Sequence, residues 1–313
     1  MTKREAMQVR KANIGIYIPL IVFFSLSAFI IIFASAVTDA VSYGIRLSVL
    51  RVIPSLFPFF ILSDYFVSTV NIPSDSPPSR LFEKIFGISS SGLGAFVIGA
   101  VGGFPLGVRC AAEEYRRGNL TKEELEGIVG IVNNPSPAFV IVSVGCLMLG
   151  DIGLGFLLYL SMLLSVAITG VLFRQKRRKS SFTNVISRQS FDLSRSIKEA
   201  GYSSLAISSY IIFFSAVVGA LSVVIKSEAV LAILSSLFEI GNATSRLALS
   251  PLSYPLKIAM IGFALGFSGL AVHMQAFSLL DTEVRKGKYI IMKLLEGFLC
   301  AAIAFVISSV ALF

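Results

Sequence analysis

The sequence predicts an all-α polytopic membrane protein, and three observations support this fold class. Of the 313 residues, 55% are hydrophobic and 14% are charged, and the mean hydropathy is +0.83. Soluble domains carry about 25% charged residues, so lipid is the expected solvent. Several apolar stretches reach the roughly 20 residues that a spanning helix needs. Backbone groups in hydrocarbon must bond within their own segment, which predicts helices and excludes open strands.

The candidate spans are 14–37, 152–173, 202–225, 258–280 and 289–313. The first is expected to end near Asp39. Another apolar stretch, 45–70, contains Pro54 and Pro58, which are expected to kink it or split it into two helices. Residues 71–80 (NIPSDSPPSR) have the composition of a loop.

Basic residues cluster beside the candidate spans, at 3–11, 174–179 and 285–288. Cytoplasmic loops of membrane proteins carry such an excess of Lys and Arg. The net charge of +9 therefore indicates orientation in the cell membrane rather than nucleic-acid binding, and a basic patch for anionic lipid is the secondary interpretation. Segments 1–13 and 174–200 are predicted to be a cytoplasmic N-terminus and a cytoplasmic linker.

The sequence contains no enzyme signature: a P-loop, G-x-S-x-G and H-E-x-x-H are all missing. Cys110, Cys146 and Cys300 are far apart and show no CxxC spacing, so they predict neither a disulfide framework nor a zinc site. We therefore expect neither an enzyme nor a bound cofactor.

Residues 102–107 (GGFPLG) are predicted to break a helix in the first half of the chain. Glycines and a proline favour unwound backbone, and a new helix is expected to begin near Leu106 with its free N–H groups facing inward. Arg109 lies just beyond and could clamp a carboxylate with two hydrogen bonds. The alternative is an unbroken glycine-rich packing face, with Arg109 paired to Glu113.

Residues 133–137 (NNPSP) form a second break. Two prolines remove backbone donors and free the carbonyl groups of the preceding turn. Those carbonyls and the Asn and Ser side chains could coordinate a solute or a small cation. The alternative is a surface loop between two helices.

The second half repeats these features at 239–242 (EIGN) and 266–275 (GFSGLAVHMQ). A carboxylate inside a span is costly unless it faces a cavity, a cation or a partner, which makes Glu239 a candidate. The alternatives to a binding role for Glu239 are a position at the water interface or an ion pair with Arg246. His273 is the only histidine; a lone His on an apolar helix is commonly a packing residue, but its polar neighbours beside a helix break also suit a binding site.

Each half thus pairs a glycine-broken segment with a helix that is interrupted near Asn. Interrupted apolar segments in both halves indicate a transporter site near the middle of the membrane. The candidate substrate-binding residues are Gly102, Gly103, Pro105, Gly107, Arg109, Asn133, Asn134, Ser136, Glu239, Asn242, Phe267, Ser268, Gly269, His273 and Gln275.

Four segments of the chain resemble the YlbJ-type sporulation integral membrane proteins of the nucleoside-recognition (Gate) domain group. They are PSLFPFFILSDYF (54–66), GAVGGFPLGVRCAAEEYRRGNLTKEE (99–124), NNPSPAFVIVSVG (133–145) and GFSGLAVHMQAFSLL (266–280), in the same order. The Gate group is in turn similar to concentrative nucleoside transporters. That similarity implies a hairpin and a broken helix from each half meeting at the substrate, with 239–242 and 267–268 lining the pocket. The sporulation member is implicated in moving dipicolinate, which would suit an anion site at 103–109.

The resulting hypothesis is a transporter of a small polar or anionic solute, with dipicolinate-like carboxylates first and nucleosides second. Na⁺ or H⁺ is a possible coupling cation, and a homo-oligomer is possible. The predicted divisions are N-terminal membrane helices at 14–88, a first Gate-like half at 89–173 and a second at 201–313. The alternative function is a non-transporting membrane scaffold or signalling protein needed for spore formation.

Overall fold

The computed structural model describes residues 20, 23–25, 27–69, 76–174, 191–280 and 284–310. These ranges are helical and contain no β-strand. Four helices in the described part are long and apolar enough to cross a membrane, and the number rises to six if each of two bent helix pairs is one span. The all-α polytopic fold is therefore confirmed. The predicted terminus 1–13 lies outside the described residues, as does most of the basic run after Phe173.

The helices follow one another in two series. The first comprises α1 (Ala34–Leu47), a π-helical turn (Ser48–Val52), α2 (Ile53–Thr69), α3 (Pro77–Phe86), α4 (Ser90–Gly102), α5 (Leu106–Arg116), α6 (Lys122–Val132), a π-helix (Ala138–Met148) and α7 (Ile152–Leu172). The second comprises α8 (Leu193–Val224), α9 (Glu228–Phe238), α10 (Ile240–Leu249), α11 (Tyr254–Phe267), α12 (Gly269–Leu279) and α13 (Lys286–Val310).

Local capping chemistry sets several helix ends. The predicted capping box is present, because Thr121 accepts a hydrogen bond from the backbone of Glu124 and the Glu124 carboxylate accepts one from the backbone of Thr121. Asp192 caps α8, so this helix begins about eight residues before the predicted end of the linker at 200. Two further boundaries were wrong: α1 continues past Asp39 to Leu47, and α3 already begins within the predicted loop, at Pro77.

Each series contains a hairpin of two short helices that turns back inside the protein. In the first hairpin, α4 and α5 approach so closely that a Cβ on Gly107 would lie 2.7 Å from the Cα of Gly99. In the second, α9 and α10 are joined at their open ends by an ion pair of 3.5 Å between Arg246 Nη1 and Glu228 Oε2. The alternative ion pair of Arg246 with Glu239 is therefore wrong.

Each hairpin is followed by a broken span and an unbroken helix. The first broken span, α6 with the π-helix, runs antiparallel to α7: Ile131 lies near Gly170, and Gly145 lies against Gly155. The second, α11 with α12, packs on α13 through glycine, since a Cβ on Gly262 would lie 3.0 Å from the Cys300 carbonyl. Small residues at such contacts let the backbones approach closely.

The two hairpins enter from opposite ends of the bundle. The open end of the first lies near the last turn of α7, where Phe86 packs on Gly170. The open end of the second lies near the start of α7, where Leu249 and Met148 border one recess. The order of a hairpin, a broken span and an unbroken helix therefore occurs twice, in opposite orientations. All four breaks lie in the interior, since Gly103, Asn134, Glu239 and Ser268 are buried.

Candidate functional site

The two breaks of the first half contact each other. The backbone N–H of Phe104, at the tip of the first hairpin, donates to the Asn134 carbonyl over 2.9 Å. Gly103 has a positive φ of 75°, and a Cβ there would lie 2.5 Å from the Ser136 backbone nitrogen. Only glycine meets both demands. The predicted helix break is confirmed, and α5 begins at the predicted Leu106.

The two breaks of the second half also contact each other. Glu239, at the tip of the second hairpin, caps α10: its carboxylate accepts from the Gly241 and Asn242 backbone nitrogens over 2.6 and 2.7 Å. Gly269, which begins α12, has a φ of 80°, and a Cβ there would lie 3.0 Å from the Glu239 nitrogen. Glu239 is 3% exposed within the protein. Glu239 therefore lies at the hairpin tip inside the fold. It does not lie at an exposed end, which the alternative of a position at the water interface required.

A small cavity lies between the two halves. Its walls come from the first hairpin tip (Phe104), the second hairpin tip (Glu239) and α12 (Gln275), with apolar residues from α2 and α8. The volume is about 10 Å³, which is room for roughly one water molecule. Ligand pockets usually measure about 300–1,000 Å³, so this cavity is far smaller than a small-molecule site. The lining residues are Val52, Leu56, Phe104, Phe139, Ile207, Tyr210, Ile211, Glu239, Ile240, Ala271, Val272 and Gln275.

A buried polar chain joins the Asn break of the first half to the second half. The Asn133 amide donates to the Tyr289 hydroxyl over 2.6 Å, and His273 Nδ1 lies 2.9 Å from the same hydroxyl. All three side chains are at most 1% exposed. The surface-loop alternative for residues 133–137 is therefore wrong. His273 Nε2 and Asn133 Oδ1 have no hydrogen-bond partner among the described residues.

A lysine and a glutamate are completely buried beside this chain. Lys293 Nζ donates to Asn134 Oδ1 over 2.8 Å and to Glu296 Oε2 over 2.5 Å. Both charged side chains are 0% exposed. Sequence reasoning missed them, although two charges three residues apart in the apolar segment 289–313 are the signal that marks functional positions inside membranes.

Arg109 is a predicted site residue that lies outside this arrangement. Its side chain is 52% exposed and forms an ion pair of 3.4 Å with Glu199. The alternative pairing with Glu113 is also wrong, because Glu113 pairs with Arg116 and Arg117. Burial raises the pKa of Glu113, but the hydrogen bonds and charges of these two guanidinium groups together outweigh it and lower that pKa below its usual range.

The remaining predicted residues divide into three groups. Glu239 and Gln275 line the cavity. A second group takes part in hydrogen bonds and backbone contacts around the cavity, and it consists of Gly103, Asn133, Asn134, Ser136, Asn242, Ser268, Gly269 and His273. The third group shapes the breaks by packing, and it consists of Gly102, Pro105, Gly107 and Phe267. The ring of Phe267 lies edge-on to that of His273, with 4.7 Å between the ring centroids.

A larger recess opens where the π-helix and α10 end. Its volume is about 290 Å³, and Arg46 and Arg51 make it basic. Arg51 Nη1 donates to the Leu147 carbonyl over 2.9 Å. Arg46 has no carboxylate partner in the part of the chain that the structure describes. The lining residues are Tyr43, Arg46, Leu47, Leu50, Arg51, Met148, Ser245 and Leu249.

We expect Glu239→Ala to lower the free energy of unfolding by about 1–3 kcal/mol, because it removes two helix-capping hydrogen bonds and leaves their donors buried. Thermal unfolding in detergent measures the loss. Asp192→Ala is the matched control, since Asp192 makes the same two types of bond at the exposed start of α8. An equal or smaller loss for Glu239→Ala would show that burial of the hairpin tip has no energetic consequence.

Comparison with known proteins gives one informative similarity. The chain is 25% identical to the sporulation integral membrane protein YlbJ of Bacillus subtilis (strain 168), over 89% of this chain and 79% of that protein. No family model and no solved structure matches. The similarity covers both hairpins and both broken spans, because it extends over most of the chain.

Proposed function

We propose that this chain, a YlbJ-type sporulation integral membrane protein, carries a small polar or anionic solute across the membrane. The observation that supports this proposal most is the meeting of broken helices from both halves around one buried cavity. Broken backbone at membrane depth is tolerated where it is buried in protein or lines a cavity, and hairpins that enter from opposite ends allow a site to open alternately to each side.

The groups around the cavity favour a planar solute. Phe104, Phe139 and Tyr210 offer aromatic surface, while the Glu239 carboxylate accepts hydrogen bonds. Gln275 Oε1 is buried without a hydrogen-bond partner among the described residues. Aromatic walls with a few polar groups are typical of small-molecule sites. Acceptors of this kind suit the hydroxyl and amine donors of a nucleoside.

The basic recess favours an anionic solute. Arg46 and Arg51 border its opening, and guanidinium groups bind carboxylates with charge-assisted hydrogen bonds. We place dipicolinate-like aromatic carboxylates first because they combine a planar ring with two negative groups. Nucleosides are the second candidate. Both would require the small cavity to expand during transport.

The test is uptake into liposomes that contain the purified protein. Radiolabelled dipicolinate and a nucleoside are offered separately, and empty liposomes and liposomes with an unrelated membrane protein serve as controls. Protein-dependent, saturable uptake of either solute supports the proposal. If neither solute is taken up or shifts the thermal unfolding temperature, the scaffold alternative is favoured.

We expect Arg46→Gln to raise the KM for dipicolinate about 3–10-fold, because one charge-assisted hydrogen bond at an exposed site contributes roughly 0.7–1.4 kcal/mol. The KM for a nucleoside should not change. Arg109→Gln is the matched control, because Arg109 is exposed and paired with Glu199 away from the cavity. A larger effect of Arg109→Gln would restore the carboxylate clamp that the sequence suggested.

A further inference from the structure

The side-chain oxygens of Asn134 and Glu296 form a pair of ligands that suits a cation. Asn134 belongs to the break of the first half, and Glu296 lies on α13 of the second half. Asn134 is 4% exposed and Glu296 is 0% exposed, so water does not screen the amide dipole or the carboxylate charge. Carboxylate and amide oxygens are the ligands that hard cations such as Na⁺ and Ca²⁺ prefer in proteins.

Lys293 already fills the position between these oxygens. Its ammonium group donates to Asn134 Oδ1 over 2.8 Å and to the Glu296 carboxylate. Burial of a charge without a partner costs several kcal/mol, and Lys293 with Glu296 forms a neutral pair. A second cation at these two oxygens would leave the site with an uncompensated positive charge.

We propose that the Lys293 ammonium is a built-in substitute for a coupling cation at the Asn134 break, so that no Na⁺ binds between Asn134 and Glu296. The lysine then joins the broken span of the first half to α13 of the second half in every ionic medium. This inference deepens the proposed function, because it argues against Na⁺ as the coupling ion of the two under consideration. The inference is tested by a binding arm, which measures unfolding, and by a transport arm, which measures uptake. Only the transport arm rests on the proposed function, and the binding arm is independent of any solute.

The binding arm compares thermal unfolding of the purified protein in NaCl, KCl and N-methylglucamine chloride at equal ionic strength. The wild type should unfold at the same temperature in all three. Lys293→Ala leaves two cation ligands and the empty space of a lysine side chain. Its unfolding temperature should therefore be about 2–4 °C higher in NaCl than in N-methylglucamine chloride. Lys293→Met is the matched control, because its side chain fills the space without a charge, and it should not respond to Na⁺.

The Na⁺ response of Lys293→Ala should disappear in the double variant Lys293→Ala, Glu296→Gln, which has lost the carboxylate. If Lys293→Ala unfolds during extraction without Na⁺ but is recovered in Na⁺, the inference is supported equally well. Failure to recover it in either medium overturns the inference, provided that Lys293→Met is recovered. A Na⁺-specific stabilisation of the wild type, or an equal response of the Ala and Met variants, also overturns it.

The transport arm measures uptake by the wild type with equal Na⁺ or N-methylglucamine on both sides and then with an inward Na⁺ gradient. Rates within twofold of one another are expected, and a several-fold stimulation by the Na⁺ gradient contradicts the inference. If no solute is transported at all, the proposed function fails, whereas the unfolding experiment still decides the role of Lys293.

Discussion

Lys293→Met is expected to lower the free energy of unfolding by about 3–5 kcal/mol, because it leaves the Glu296 carboxylate as an uncompensated buried charge. Both side chains are 0% exposed, so solvent cannot compensate for the missing ammonium group. The double variant Lys293→Met, Glu296→Met should recover most of the loss, since apolar side chains of similar volume often replace a buried ion pair without cost. Thermal unfolding in detergent of these two variants and of the single variant Glu296→Met gives the three differences from the wild type that a double-mutant cycle needs.

Lys257→Met provides the control for removal of a lysine from a span. Its Nζ donates to a backbone carbonyl, that of Ala248, over 3.1 Å, and the contact is only partly buried. We expect a loss below about 1.5 kcal/mol, the usual contribution of one such hydrogen bond. A similar loss for Lys257→Met and Lys293→Met, or no recovery in the double variant, would show that the buried ion pair is not the source of the effect.

The sequence was sufficient to locate the breaks because glycine and proline determine backbone conformation locally. Gly103 and Gly269 adopt positive φ, and the segment 133–137 interrupts its helix as its prolines require. The start of α5 at Leu106 and the capping box at Thr121 are equally local features. In each case the few residues that decide the structure are neighbours in the chain.

The partners of these breaks could not be predicted in the same way. The contact of Phe104 with Asn134 depends on how a hairpin packs against a broken span. Arg109 was expected in the site because it lies just beyond the break at 102–107, but helix orientation directs it toward Glu199. Lys293 enters the site because α13 packs against the first half, and the chain separates it from Asn134 by 159 residues.

Gly107→Ala is the second substitution with a large expected effect. A Cβ on Gly107 would lie 2.7 Å from the Gly99 Cα and 3.0 Å from the Val132 Cβ, so α5 would have to move away from both α4 and α6. Overpacking of this kind costs about 1–3 kcal/mol, and backbone cannot rotate aside as a flexible side chain can. Displacement of the hairpin tip, which forms a wall of the cavity, should also lower the uptake rate at least 10-fold.

Gly94→Ala is the control in the same hairpin, because a Cβ at this position meets nothing within 4 Å. Alanine is the better helix former by about 1 kcal/mol, so this variant should be as stable as the wild type or slightly more stable. Thermal unfolding and liposome uptake are measured for both variants. A destabilised Gly107→Ala beside an intact Gly94→Ala identifies close backbone approach as the reason for glycine at position 107, whereas equal behaviour would contradict the tight packing of the hairpin on the broken span.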